Sequence, residues 1–572
     1  MNKIWKLKPR IPEELSSAYG EYDPLLAQLL YNRGLVEKDK IEEFLEPQYE
    51  RLHSPFLFKG MEKAVERIWQ AIDENQKITV YGDYDADAVT ANAVLRQVFH
   101  YLNHQNIDSY IPDRFSEGYG LNLEALQKIS DTGCKLIVTV DCGTNSVDAA
   151  EFCKKSGIDL IITDHHEIIG EAPAALALIN PKNQKDNYPD PNITGVGVAF
   201  KLVGAILKNP KSEIRNPKLK PGSEKWLLDL VAIGTVADCH DLLGENRILV
   251  KYGLVVLQKT RWPGLRSLAA VSDLNFSTKP PDTYTLGFII APRLNAAGRL
   301  EHANIALDLL LEENLVSAQQ KAQALNELNL RRQDTTARIM SEAREQALLL
   351  KDRKVLVLMN ENWHKGVVGL VAGKIAEEFS RPSVVLQMEG LEATGSARTV
   401  GDFNVVEALK YSSKHLIRFG GHKQAAGLTL NPENFDGFYR SMLDYADQNL
   451  SDDDSSPVLE LEAELSESQL SIVNCQLLSK LEPFGFGNVK PKFLLKNAGI
   501  VSQKQVGASG QHLQMQIKVG DTIIPSIAFN FRPVESSGSY DIACELMEDG
   551  WNGRKQLKLR VVDIKNSNIL TS

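Results

Sequence analysis

The chain has 572 residues, 43% of them hydrophobic, with 64 basic and 74 acidic side chains and a formal net charge of −10. That length predicts three or four domains with ample core. The acidic balance excludes a protein that coats nucleic acid by bulk charge, though not one with a local basic groove. Cys134, Cys142, Cys153, Cys239, Cys475 and Cys544 show no Cys-x-x-Cys spacing, which speaks against zinc or disulfides and for thiols in a reducing cytoplasm.

The start, Met1-Asn2-Lys3-Ile4-Trp5-Lys6, is basic but meets Pro9 and Pro12 rather than an apolar run, so no signal peptide is expected, and no later stretch suits a bilayer. Residues 1–45 read as a small helical lead-in, and 46–250 alternate strand and helix patterns. Ile78 and Val80 run into Gly82-Asp83-Tyr84-Asp85-Ala86-Asp87, three carboxylates at alternate positions, and then into a helix-like stretch through Thr90 and Leu95. Leu136–Val140 ends in Asp141, and 160–163 end in Asp164-His165-His166-Glu167. A further run at 230–234, read as strand-forming, leads to Asp238, with Asp241 behind it. Between them, 180–225 break the alternation with a helix-like 196–207 and a Pro-Lys-rich loop, read as surface decoration.

Beyond this region, Arg293 and Arg299 share a predicted loop, and 312–351, almost free of Gly and Pro, predict one long helix joining two lobes. The second lobe runs from 354–358 to the charged boundary Asp452-Asp453-Asp454-Ser455-Ser456-Pro457. It carries Trp363-His364-Lys365-Gly366, Ser396, Arg398, Arg418 and a predicted turn at Gly420-Gly421-His422 that suits close backbone approach by phosphate. Strand-like segments at 458–465, 493–501, His512–Val519 and 557–562 predict a β-barrel.

The acidic segments all follow strand-like runs, and in open α/β sheets the ligand site lies beyond the carboxyl ends of parallel strands. Any single one of these carboxylates is as well read as a helix N-cap. Gathered together they would repel and raise each other's pKa unless a cation neutralised them. Histidine beside them extends the choice from magnesium to manganese. Two such ions about 3.5 to 4 Å apart can clamp the attacking and leaving oxygens of a phosphoryl displacement, so the pattern points to metal-assisted phosphoester hydrolysis.

Asp83-Tyr84-Asp85-Ala86-Asp87, Asp141, Asp164-His165-His166 and Asp238 resemble, in order, the four motifs of the DHH phosphoesterase superfamily, and 418–427 resemble its DHHA1 substrate domain. Ala291-Pro292-Arg293-Leu294-Asn295-Ala296-Ala297-Gly298-Arg299 and Glu482-Pro483-Phe484-Gly485-Phe486-Gly487-Asn488 are similar to the branch that degrades single-stranded DNA. The resemblance implies an α/β fold: a parallel-sheet DHH domain (46–250), an extension with a long connecting helix (251–350), a smaller α/β DHHA1 domain (351–450) and an OB-type β-barrel (457–572). It implies two Mn2+ or Mg2+ ions, with Asp141 bridging, Asp85 on one, and Asp87, His165 and Asp238 on the other. Asp83 and Asp164 would support them and His166 would face the scissile phosphate; adjacent histidines of an extended segment point to opposite sides. Arg114, Arg293, Ser396 and Arg398 would shape a pocket for a 5′-terminal phosphate, with Gly420, Gly421 and His422 also against substrate.

The implied activity is 5′-to-3′ release of mononucleotides from single-stranded DNA, in recombination and repair. The implied setting is a cytoplasmic monomer working with a single-strand-binding protein and a RecQ-type helicase. A phosphodiesterase of short oligoribonucleotides or cyclic dinucleotides, and a non-catalytic DNA-binding scaffold, are the alternatives within the superfamily. Ala88, where relatives carry glycine, and Cys239-His240, where they are apolar, depart from the pattern without removing a ligand.

Overall fold

Five short runs rich in β-branched residues build the first sheet, in the order Ile107–Tyr110, Ile78–Gly82, Leu136–Val140, Asp159–Thr163, Ala177–Ile179, every neighbour parallel. Ile78–Gly82 and Leu136–Val140 are buried throughout, as expected of parallel strands covered on both faces. The chain leaves Ile78–Gly82 for one neighbour and returns to Leu136–Val140 on the other side. That reversal opens a crevice at their carboxyl ends, where Asp83 and Asp141 stand.

This computed structural model describes residues 3–118, 120–450, 457–507, 509–535, 538–551 and 554–567; the acidic boundary at 452–456 lies outside them. The chain divides into two units, one holding Pro55–Asp238 and Gly253–Pro457, the other Lys3–Ser54, Cys239–Tyr252 and Val458–Ser572.

In the first unit, helices Leu123–Asp131 and Val147–Lys155 cover one face of the sheet through Ala125, Leu126, Ala149 and Cys153. Ala86–Tyr101 and Gly195–Leu207 pack against the sheet and each other. Two expectations are corrected here. The 196–207 segment is not surface decoration: Val196, Val198, Leu202 and Val203 are fully buried, and a helix apolar on all sides belongs in a core. Residues 230–234 are not a strand but part of the helix Leu228–Ala237, packed on Ala86–Tyr101 and Gly195–Leu207. A short continuous apolar run fits either element by periodicity alone.

The predicted long helix is Leu315–Leu349, 35 residues or about 50 Å, capped by Asn314, whose Oδ1 accepts from Val316 N and Ser317 N at 3.0 Å. Its early turns pack on Pro263–Ala270 and Ala291–Leu300, its late ones on Val368–Phe379. The second sheet runs Arg418–His422, Ala425–Leu430, Glu392–Arg398, Ser383–Glu389, Leu356–Asn360. Its alternation is legible in the cores: Val357, Val384 and Leu386 face Val405, Phe438 and Met442, while Leu356, Leu358 and Val385 face Val368, Val371 and Ile375.

In the second unit, Phe493–Val506, His512–Val519, Thr522–Ala528, Arg554–Asn566 and Ser539–Trp551 pair in sequence, and Ser539–Trp551 pairs back with Phe493–Val506. The five strands thus form the closed barrel the sequence predicts. The lead-in is not wholly helical: Ile4–Leu7 pairs in parallel with Val458–Leu461, and Leu29, Leu30 and Ile41 join the barrel's core. The 482–488 segment is where this unit is tied. Arg247, 2% exposed, donates to the carbonyls of Phe44 (2.8 Å), Leu481 (3.1 Å) and Glu482 (2.8 Å), with its guanidinium 3.8 Å from the Phe44 ring centre. Asn488 Nδ2 donates to Leu481 O and Pro483 O, and Arg33 Nε to Asn488 Oδ1.

All six cysteines are free thiols, and no helix among the described residues is long and apolar enough to cross a membrane. Arg247→Met should lower the stability of the second unit by about 3 kcal/mol, since several buried carbonyls lose their donor together. Urea unfolding followed at the barrel checks this, the expected change lying in the midpoint and not the slope.

Candidate metal centre and phosphate pocket

The strand ends set the geometry of the acidic site. After Leu136–Val140 the backbone turns sharply, and Asp141 takes a left-handed φ of 57°, a conformation aspartate tolerates better than most residues, while its N–H donates to Thr163 O at 3.0 Å. Asp85 caps the Ala86–Tyr101 helix, accepting from Ala88 N at 3.1 Å, so the capping role and a place in the cluster coincide. Ala88 itself is fully buried in that helix.

Asp141, Asp164, His165 and His166 offer ligand atoms that all lie within 4.8 Å of one another. His165 Nε2 is 2.9 Å from Asp141 Oδ1 and 3.6 Å from Asp238 Oδ2. His166 turns away, the two rings tilted by 58°, and its Nδ1 lies 2.8 Å from Asp164 Oδ1. Asp164 Oδ1 also accepts from His165 N (2.7 Å) and His166 N (3.1 Å), and Oδ2 from Thr144 N (2.8 Å). Burial alone would raise the Asp164 carboxyl, but the His166 hydrogen bond, both imidazoles and these amides hold it below the usual carboxylate range. His166 moves the opposite way: burial lowers it, and Asp164 more than compensates, so its proton affinity is raised.

The other carboxylates are crowded and poorly satisfied. Burial, then Asp85, pushes Asp83 up to about 8. Burial and Asp238 raise Asp85; burial with neighbouring carboxylates raises Asp87 and Asp141 well above the ordinary value. Asp83 Oδ1 and Asp87 Oδ2 are buried with no hydrogen-bond partner. Two glycines make the room. A Cβ on Gly195 would lie 2.7 Å from Asp141 Oδ1 and 2.8 Å from Asp87 Oδ2, and one on Gly234 would lie 2.7 Å from Asp87 Oδ1. Asp238 ends the Leu228–Ala237 helix, where the dipole adds to the negative potential. Orphaned buried carboxylate oxygens beside imidazole, with space kept open by glycine, fit hard divalent cations. Cys142 is fully buried and its thiol pushed up by burial, so it packs and is not a nucleophile.

Beside the acidic turn lies a cationic one. The Arg114 guanidinium sits 4.8 Å from the Tyr84 ring centre, and Arg114, Lys365, Ser396 and Arg418 line a cavity of about 470 Å3 with Phe115 and Gly427. Gly369, in the first turn of Val368–Phe379, completes a cradle: a Cβ there would be 3.1 Å from both Ser396 Oγ and Arg398 Nη2. A helix N-terminus, a hydroxyl and a guanidinium around one gap suit an anion. Burial and then Arg114 lower Arg398. Burial, then Arg114, Arg332 and Arg398, push Arg299 down to about 9, with Asp85 as the opposing charge.

Arg299 thus shares the charge network of Arg114 and Arg398 and joins the expected Arg293 as a candidate for the cradle. Arg293 and Arg299 lie on a helix, Ala291–Leu300, not in a loop. Arg293 donates from Nη1 to Ile289 O (2.7 Å) and from Nε to Asn326 Oδ1 (3.0 Å), and its charge reaches Arg332, which in turn acts on Arg299. Asn295 on the same helix accepts from Ala86 N at 2.8 Å, fixing it against the acidic turn. Gly420, Gly421 and His422 form no turn but the exposed edge strand Arg418–His422. Gly421 has φ 147°, and a Cβ would be 2.4 Å from Ala425 O, so only glycine fits. Gly420 pairs across the sheet with Gly427, which lines the cavity.

Residues 77–235 match the DHH family N-terminal domain, 352–448 the DHHA1 domain and 461–563 the RecJ OB domain. The chain is 37% identical over 550 residues to the single-stranded-DNA-specific exonuclease RecJ of Bacillus subtilis, covering 94% of this chain and 68% of that protein. To the Escherichia coli RecJ it is 31% identical over 588 residues, 99% and 100% of the two chains. The crystal structure of Thermus thermophilus RecJ in complex with Mn2+ superposes with a TM-score of 0.84 at 29% identity, covering 98% of this chain and 79% of that one; the Mg2+ complex gives 0.77, covering 98% and 78%.

Asp83 binds its proton more tightly in the folded chain, at about 8 against 3.8 for the ordinary side chain, so it withdraws stability as pH rises through that interval. In chelator, Asp83→Asn should therefore melt a few degrees higher than the native chain, the gap widening from roughly pH 5 to 8; parallel thermal melts across that range check it.

Proposed function

The chain belongs to the RecJ family, and from that premise we propose that it is a metal-dependent exonuclease that degrades single-stranded DNA from the 5′ end to mononucleotides. The observation that carries this reading is the pairing, within one unit, of a buried carboxylate cluster with a guanidinium-lined anion cradle, joined through Tyr84 and Arg114. A phosphodiester strand with a terminal phosphate is a ligand whose chemistry answers both.

Two Mn2+ or Mg2+ ions would be held by Asp85, Asp87, Asp141, His165 and Asp238, Asp141 being the residue shared between them. Bound there, the ions would supply a nucleophilic water and neutralise charge on the scissile phosphate and its leaving oxygen. The chain's own residues do the positioning. Asp83 and Asp164 orient the ligands, and Asp164, held by three backbone amides and His166, keeps that imidazole in place and raises its proton affinity, suited to donate to a phosphate oxygen. Arg114, Arg299, Ser396 and Arg398, with the first turn of Val368–Phe379, take the terminal phosphate, so the first internucleotide phosphate falls toward the carboxylates. An end-binding cradle of this kind explains polarity and the need for an end.

A non-catalytic scaffold has no use for carboxylates kept buried, crowded and orphaned at a cost in stability. The closed barrel of the second unit gives a long single strand a further grip, which small-substrate phosphodiesterases do not require. A single-strand-binding protein and a RecQ-type helicase are the partners that accompany this assignment.

The test is digestion of a 3′-labelled, 5′-phosphorylated single strand with Mn2+ or Mg2+, beside its duplex and its RNA counterpart. Progressive loss of the single DNA strand from the 5′ end is expected; cutting of short RNA or cyclic dinucleotides alone would replace the assignment. Asp141→Ala and His165→Ala should each reduce turnover at least about 1,000-fold with the fold intact, because a metal ligand is lost. Arg398→Ala should lower the preference for 5′-phosphate over 5′-hydroxyl ends about 10-fold or more, in keeping with a charge-assisted contact; an unchanged ratio in competition assays removes the residue from the cradle.

A further inference from the structure

Two aromatic side chains are spent on the surface of the first unit. Tyr284 is 61% and Phe288 70% exposed, more than any other Phe, Tyr or Trp among the described residues. Their rings stack, centroids 4.8 Å apart and planes within 20°, so the pair presents one flat apolar face to solvent. Phe288 lies within, and Tyr284 immediately before, a π-helical turn, Thr285–Ile290, a rare element that concentrates at functional sites.

The turn is braced. Asp282 Oδ1 accepts from Thr285 N at 2.8 Å and from Thr285 Oγ1 at 2.7 Å. Leu286 and Ile290 are fully buried beneath it. Arg293 donates to Ile289 O and to Asn326 of the long helix. The turn packs on the helix that ends at Asp238. A Cβ on Gly287 would be 3.3 Å from Val236 Cγ1, two residues before Asp238, and the turn runs directly into the helix that carries Asn295 and Arg299.

We infer that Tyr284 and Phe288 form a stacking platform for a nucleobase of the bound single strand, with Arg293 as the positioning residue that holds the platform's backbone. This rests on the exonuclease reading. Two rings are too little surface for a stable protein partner, which needs about 800 Å2 on each side, but are matched to a base, whose π-face stacks on aromatic side chains irrespective of sequence. Exposed Lys279, just before the turn, adds a cation for the strand's backbone.

Binding of a 5′-phosphorylated single strand is measured by anisotropy in EDTA, so that it is not cut, with a short abasic window walked along the strand from its 5′ end. For the native chain, one window position should weaken binding about 10-fold. Phe288→Ala and Tyr284→Ala should bind the intact strand about 10-fold more weakly, lose all sensitivity to that window, and keep the native circular dichroism. Phe288→Trp should restore both affinity and window sensitivity and show fluorescence quenching on binding. If no window position has a cost that depends on these rings, or if the alanine variants bind as the native chain does, the platform is overturned. A change of oligomeric state in the variants assigns the pair to a second copy and overturns it too. A native chain that binds and cuts strands while the variants are indistinguishable sinks the platform alone; a native chain that neither binds nor cuts any strand sinks the exonuclease reading with it.

Discussion

Like charges held out of water repel, and this chain holds two such sets side by side: carboxylates at Asp83, Asp85, Asp87, Asp141 and Asp238, and guanidiniums at Arg114, Arg299 and Arg398. Burial and mutual repulsion raise Asp83, Asp85, Asp87 and Asp141 and lower Arg299 and Arg398. Neither would persist unless the surrounding fold over-determined it. Each set fits a ligand of the opposite sign, and the two together fit a phosphodiester attended by cations.

Much of the fold serves that confinement. The strand order places the Asp83 and Asp141 turns on the two sides of one crevice. Gly195 and Gly234 let two apolar helices approach the carboxylates closely enough to exclude water, and a methyl group at either would occupy the space that ligands need. The long helix Leu315–Leu349 packs at one end on the helix carrying Arg299 and at the other on the helix whose first turn contains Gly369. The turns that carry the carboxylates and the residues of the cradle are therefore anchored on helices and strands packed on one long element.

The second unit solves a different problem. Its barrel leaves no open edge among its five strands, and its irregular 482–488 segment would expose buried carbonyls without Arg247 and Asn488 to satisfy them. A segment that carries part of the family resemblance in the sequence is here a structural tie.

How much was legible in advance followed the range of the forces involved. Alternation, helix composition and strand-end acidity are local properties, so the sheets, the 35-residue helix, the barrel and the gathering of acidic and histidine side chains at one place could be expected from the sequence. What failed depended on neighbours distant in the chain. The run at 230–234 is a helix because Ala86–Tyr101 and Gly195–Leu207 surround it. Arg293 and Arg299 lie on a helix and not in a loop because that segment packs on the long helix, and Gly420-Gly421-His422 is an edge strand because Ala425–Leu430 lies beside it. Residue type and spacing determined which chemistry this chain can perform; tertiary packing alone decided which face each side chain shows and which like charges are forced together, because burial and repulsion act through space and not along the sequence.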